Sequence, residues 1–177
     1  MLIARNLLIA FIVWSSTLLV SGQTERPRLD SLQPDKIATW KNLLTEEENN
    51  ALRKAGRPNS RMKTYIRLSA QRLKSAREFI TQENFAASGE QIKGYTALIA
   101  EAGRVSKESI PKGDKAHKTL ELALREQLRL LEALKRDLSS AYSEVMGIAL
   151  EITQQVRQQA LNLLFGTGLL AEPKNSS

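Results

Sequence analysis

The sequence predicts an all-α protein: an antiparallel bundle of four to six amphipathic helices with a long C-terminal helical segment, preceded by a signal peptide. Apolar residues return at three- and four-residue spacing from Asp35 to Phe165, the period of one buried helix face. No stretch alternates apolar and polar residues with period two over a length that would make a half-buried strand. Ahead of that pattern stand one cation, Arg5, an apolar run from Leu7 to Val20, and Ser21-Gly22, with the small or slender Val20 and Gly22 at the positions before a cleavage point. Those are the three parts of an export signal.

Cleavage after Gly22 would leave 155 residues at +6, since Arg5 is the one charge removed from a 177-residue chain of +7. The 14-residue apolar run is short for a hydrocarbon layer of ~30 Å, so an uncleaved membrane anchor is the lesser reading. Residues 23–34, with Pro27 and Pro34 and no apolar period, read as a flexible lead-in. Residues 35–166 form the helical domain, and residues 167–177 read as a disordered tail.

Within the domain, Asp35 is the expected N-cap of a first helix carrying Ile37, Trp40, Leu43 and Leu44. Thr45 followed by Glu48 has capping-box spacing, so this region is one helix to about Ala55 or two divided at Thr45. Gly56-Arg57-Pro58 is the stop. The next helix runs from about Asn59 to Glu83 with Met62, Ile66, Ser69, Leu73, Ala76 and Ile80 on one stripe. Asn84 is its expected left-handed exit, and Phe85 opens a helix with Ile92, Tyr95, Ile99 and Ala102 on one face. Gly89, Gly94 and Gly103 each cost that helix up to ~1 kcal/mol relative to Ala, which makes it the weakest by propensity.

Ile110-Pro111-Lys112-Gly113 interrupts the pattern, and Asp114 is placed to cap the next helix. From Lys115 to Phe165 there is no Pro, and Leu120, Leu124, Leu128, Leu131, Leu134 and Leu138 share one face. A single helix over residues 115–165 would reach ~75 Å, so a break near Leu138-Ser139-Ser140 is preferred over one continuous helix.

Composition narrows the chemistry. With no Cys there is no disulfide, thiolate nucleophile or iron–sulfur cluster, and a single His rules out a His-based metal cluster. His117 and Glu121 stand at i,i+4, but two ligands do not make a metal site, and His117 reads as a surface residue in a first helical turn. No nucleophile, phosphate-loop, dinucleotide or Glu-x-x-His motif is present. Glu46-Glu47-Glu48 fit a helix N-terminus, where the macrodipole favours acids. These readings point to a non-enzyme without cofactor or metal, although a hydrolase using only carboxylates needs no visible motif.

The pair of segments around Leu73-x-x-Ala76 and Asn84-Phe85-x-Ala87 resembles one hairpin of a tetratricopeptide-like repeat in its small-residue spacing. It lacks the repeat's Trp and terminal Pro and has no second copy 34 residues away, so the resemblance implies an antiparallel helix hairpin and nothing more.

Charge is distributed unevenly. Residues 51–80 hold nine basic residues and one acid, Glu78, a net of +8 that exceeds the +7 of the whole chain. At 100° per residue, Lys63, Arg67, Lys74 and Arg77 fall within about 80° of one another on the second long helix. With Arg57 and Arg61 they are the candidate anion-binding residues, and the bland alternative is a solvated face paired with acids such as Glu101, Glu108 or Glu121. Nucleic acid is disfavoured, since Tyr65 is the one aromatic in the stripe and the leader directs the chain out of the cytoplasm. Leu122 and Leu130 lie off the main Leu stripe and either complete the core or meet a partner helix.

The functional expectation is an exported, periplasmic or secreted, adaptor or scaffold that binds an unknown protein. The alternative is salt-sensitive binding of an anionic envelope component, such as a lipid headgroup, lipopolysaccharide or acidic polymer.

Overall fold

The computed structural model describes residues 34–166, so the expected signal peptide, the rest of the expected lead-in and the expected tail lie outside the described residues. Among those residues the chain is helical, without strands. The helices are α1 (Pro34–Trp40), α2 (Glu46–Lys54), α3 (Pro58–Thr81), α4 (Phe85–Ser109), α5 (Lys115–Asp137) and α6 (Ser143–Phe165), with single 3-10 turns at Lys41–Leu43 and Ser140–Tyr142.

The ends form where local chemistry dictates. Thr45 and Glu48 make the expected capping box, Glu48 N–H donating to Thr45 Oγ1 at 3.2 Å and Thr45 N–H to Glu48 Oε2 at 2.8 Å. That box divides α1 from α2. Pro58 occupies the first turn of α3, where its missing N–H costs nothing. Asp114 accepts from Ala116 N–H at 2.7 Å, and Gly166, with φ 78°, ends α6. The break after Asp137 is real: Leu138 turns to an extended conformation and α6 begins anew at Ser143.

Two end assignments are corrected. Pro34 and Asp35 lie inside the first turn of α1, so Pro34 leaves the lead-in and Asp35 is a first-turn acid, not the N-cap. The left-handed residue between α3 and α4 is Glu83, at φ 58°, and Asn84 is the N-cap of α4, accepting from Ala87 N–H at 3.1 Å. Asn84 N–H to Phe79 C=O and Glu83 N–H to Ile80 C=O close the paired C-terminal turn that forces Glu83 into that conformation.

The four long helices pack in the cyclic order α3, α4, α6, α5 around one core. Chain neighbours α3/α4 and α5/α6 are antiparallel. The other two contacts are parallel: Tyr95 and Gly103 of α4 meet Thr153 and Val156 of α6, and Met62 and Leu73 of α3 lie with Ala116 and Leu134 of α5. The antiparallel expectation therefore holds within each hairpin but not between hairpins. Both parallel contacts carry a buried polar pair with one register. Tyr95 Oη meets Thr153 Oγ1 at 2.9 Å, Gln127 Nε2 donates to Ser69 Oγ at 2.9 Å, and each pair is 58 residues apart. The same offset carries the α3 stripe Met62, Ile66, Leu73, Ala76 and Ile80 onto Leu120, Leu124, Leu131 and Leu134 of α5 and Leu138 just after it. Positions 58 residues apart thus meet across both parallel contacts.

Helix α4 is the least favoured by propensity and the most enclosed by its neighbours. Its glycines account for both. A Cβ at Gly103 would stand 2.8 Å from Val156 Cγ2, one at Gly89 would stand 2.7 Å from the Tyr142 ring, and one at Gly94 would lie 3.0 Å from the Arg72 guanidinium carbon. The helix gives up propensity so that α3, α6 and the 140–142 turn can approach its backbone.

Candidate functional site

The buried titratable and charged groups are used to hold the helices together. Arg72 is 8% exposed and lies on the side of α3 that faces α2 and α4. Its guanidinium donates to Glu48 Oε1 at 2.8 Å, Glu48 Oε2 at 2.5 Å, Leu43 C=O at 2.8 Å and Gln91 Oε1 at 3.0 Å. One of the nine cations of residues 51–80 is therefore internal, and Glu48 serves the ion pair as well as the helix start.

His117 is fully buried, which corrects its reading as a surface residue. Nε2 lies 2.9 Å from Pro111 C=O and Nδ1 lies 2.9 Å from Ser106 Oγ. A carbonyl only accepts, so Nε2 carries the proton and the ring ties α4, the interhelix loop and α5 together. Glu121 does not share a metal with it. Its carboxylate accepts from Arg157 Nε at 2.9 Å and Arg125 Nη2 at 3.0 Å. Burial works to raise the Glu121 carboxyl, but the two arginines outweigh it and hold it below the ordinary carboxylate value. Among the described residues no three His, Asp or Glu side chains converge as a metal set.

The surface is where a ligand could act. On the outer face of α3, Lys63, Arg67, Lys74 and Arg77 are exposed, as is Arg57 just before the helix, while Arg61 is half-buried. Glu101, Glu108 and Glu121 do not neutralise this face: Glu101 pairs with Lys41 and Arg104, Glu108 with Arg104, and Glu121 with Arg125 and Arg157. Lys74 has a weak neighbour in Glu78 at 3.9 Å.

Beside that face, α3 and α5 enclose an apolar groove of about 300 Å³ lined by Ala70, Leu73, Leu130, Ala133 and Leu134. Lys74, Arg77 and Asp137 complete its lining. Leu130 is 39% exposed, and Leu122, one face round on α5, is 47% exposed. Neither leucine is taken into the core. The groove joins two groups of candidates, Lys74 and Arg77 on one helix and Leu130 on the other, that sequence spacing could not connect.

A second, more polar cleft of about 720 Å³ opens between the α1–α2 segment and the α3/α4 hairpin. Its walls include Lys41, Leu44, Leu52, Arg61, Tyr65 and Glu101. Tyr65 and Arg61 stand one turn apart on α3, so they share a face. Burial, and then the Glu101 carboxylate, raise the Tyr65 phenol above its ordinary value, against the opposing pull of Arg61 and Arg104. Burial acts to raise Glu101 as well, but Lys41 and Arg104 outweigh it and hold that carboxyl below the ordinary value. Among this group, sequence reading singled out only Arg61 as a site residue; the Arg61–Tyr65 spacing was the available signal.

No helix among the described residues is long and apolar enough to cross a membrane. Comparison of the chain with protein-family models, curated proteins and solved structures finds no match.

Proposed function

We propose that this chain is an exported helical adaptor whose binding face is the α3/α5 groove, and that its partner is a protein presenting an acidic amphipathic helix. The observation that carries the reading is Leu130, which stands exposed beside a groove of about 300 Å³ also lined by Lys74 and Arg77. A partner's apolar side chains would cover Leu130, Ala70 and Ala133, and its acids would face the two cations. Burying a Leu side chain contributes ~1.5–3 kcal/mol, so the apolar contact supplies affinity and the flanking charges set orientation. The leader-like pattern of Arg5 and Leu7–Val20 supports export, and mass analysis of the exported product tests it.

A photo-crosslinking residue at position 130, used in intact producing cells, tests the groove. The expected result is one discrete protein adduct that is lost with Lys74→Glu/Arg77→Glu and absent when the crosslinker sits at exposed Gln158. Equal labelling from both positions would refute the assignment.

The exposed cations Arg57, Lys63, Arg67, Lys74 and Arg77, largely unpaired among the described residues, favour a second reading, binding to an anionic envelope surface. Vesicles with and without anionic lipid separate the two. Binding that needs the anionic lipid and is lost at high salt supports the surface reading, since charge–phosphate attraction is screened.

A further inference from the structure

The cleft between the α1–α2 segment and the α3/α4 hairpin, at about 720 Å³, is larger than the α3/α5 groove. Its volume lies within the range of small-molecule sites. Its charges are not balanced in the same way on every side. Glu101 is matched by Lys41 and Arg104. Arg61, like Arg53, enters none of the ion pairs among the described residues, and its Nε is buried with no hydrogen-bond partner among them. An unmet charged donor costs at least ~1–3 kcal/mol, so a half-buried guanidinium of this kind is the feature that points to an incoming acceptor.

We infer that this cleft binds a small organic anion, a carboxylate or phosphate monoester with an apolar body, whose anionic end is held by Arg61 and Tyr65. The planar guanidinium offers two parallel donors matched to two oxygens of either group. Tyr65, one turn along the same face, adds a hydroxyl donor. Leu44 and Leu52 give the apolar body a surface to cover. The cleft lining carries Lys41, Arg53 and Arg61 against Glu46 and Glu101, a surplus of one positive charge that suits a ligand with a single anionic group. The ligand therefore carries one anionic group, not a chain of them. This site is separate from the α3/α5 groove and does not depend on the adaptor reading.

The test uses the full chain and three probes: phenyl phosphate, benzoate and inorganic phosphate, each titrated while the Arg61 Nε–H resonance is followed by NMR. Phenyl phosphate or benzoate is expected to move that resonance in a saturable way, and to bind more tightly than inorganic phosphate, which lacks the apolar body. Whichever organic probe is the tighter identifies the anionic group. Arg61→Gln is expected to weaken binding about tenfold or more and Tyr65→Phe about threefold or more, as loss of charged hydrogen bonds predicts. Lys118→Glu, a charge reversal at an exposed position of α5, is expected to leave it unchanged. Thermal melts of Arg61→Gln should show no loss of stability relative to the parent chain, because the change removes an unmet donor and no ion pair among the described residues. The inference fails if neither organic probe gives a saturable shift, or if Arg61→Gln binds as well as the parent.

Discussion

The hydroxyl of Tyr95 donates to that of Thr153. The two oxygens are 2.9 Å apart, and Thr153 already spends its own proton on Ala149 C=O at 2.6 Å. The direction of the Tyr95 bond follows from that second contact. Removing the Tyr95 hydroxyl takes away a donor from an oxygen that keeps its other bond, whereas removing the Thr153 hydroxyl strands a phenol in a fully buried site. Tyr95→Phe is therefore expected to cost about 0.5–1.5 kcal/mol and Thr153→Val about 1–3 kcal/mol. Denaturant unfolding of both variants and the double variant checks the asymmetry, and the double should cost less than the sum of the singles.

Two glycines should answer Ala substitution with opposite signs. Gly147 is exposed within α6 with nothing within 4 Å of a built Cβ, so Gly147→Ala is expected to stabilise by up to ~1 kcal/mol. At Gly103 the Cβ would sit 2.8 Å from Val156 Cγ2, and overpacking of ~1–3 kcal/mol exceeds the propensity gain. Gly103→Ala should lower the melting temperature, and pairing it with Val156→Ala should recover part of the loss.

Arg72→Leu should be among the most damaging single changes outside the apolar core. It leaves Glu48, itself 12% exposed in its side chain, without its ion-pair partner. Breaking a buried pair from one side costs about 3–5 kcal/mol. The damage should concentrate in α2 and the Lys41–Leu43 turn, which Arg72 ties to α3 through Glu48 and Leu43 C=O. Hydrogen exchange resolved by residue reads this as faster exchange in residues 41–54 than in α5 and α6.

Acid should weaken the fold through Glu101 and Glu121. Burial pushes both carboxyls up, but their basic partners outweigh it, so both sit below the ordinary value of 4.5 in the folded chain. A lowered folded value means that the stabilisation is complete above the unfolded value and is lost as pH falls through the folded one. The melting temperature should therefore decline below about pH 4.5, and Glu121→Gln should flatten that decline while lowering stability at neutral pH.

Most helix ends could be read because their causes lie within a few residues. Thr45 with Glu48 and Asp114 bond backbone N–H groups within one turn, and Pro58 suits the first turn of α3, whereas Gly56 is not left-handed and Ser139 makes no side-chain cap bond. The misplacement at Asn84 also has a local cause: Asn suits both the left-handed exit and the N-cap, and the 82–84 turn used it for the second. Periodicity identified the inward faces of α3, α4 and α5 for the same reason, since a stripe of Met62, Ile66, Leu73 and Ala76 must bury itself against something.

Residue types and spacing by themselves determined that the chain is helical, where its helices break and which faces turn inward. The tertiary arrangement decided the rest. It buried Arg72, one of the nine cations of residues 51–80, withdrew His117 from the surface, and turned three weakening glycines into contact points. It also brought Leu130 beside Lys74 and Arg77. Each of these depends on a neighbour dozens of residues away, such as Glu48 for Arg72 or Val156 for Gly103, and a helical period reports that a face is buried without saying against which helix. The 58-residue register that joins Ser69 to Gln127 and Tyr95 to Thr153 becomes visible only when the parallel pairs α3/α5 and α4/α6 are in place.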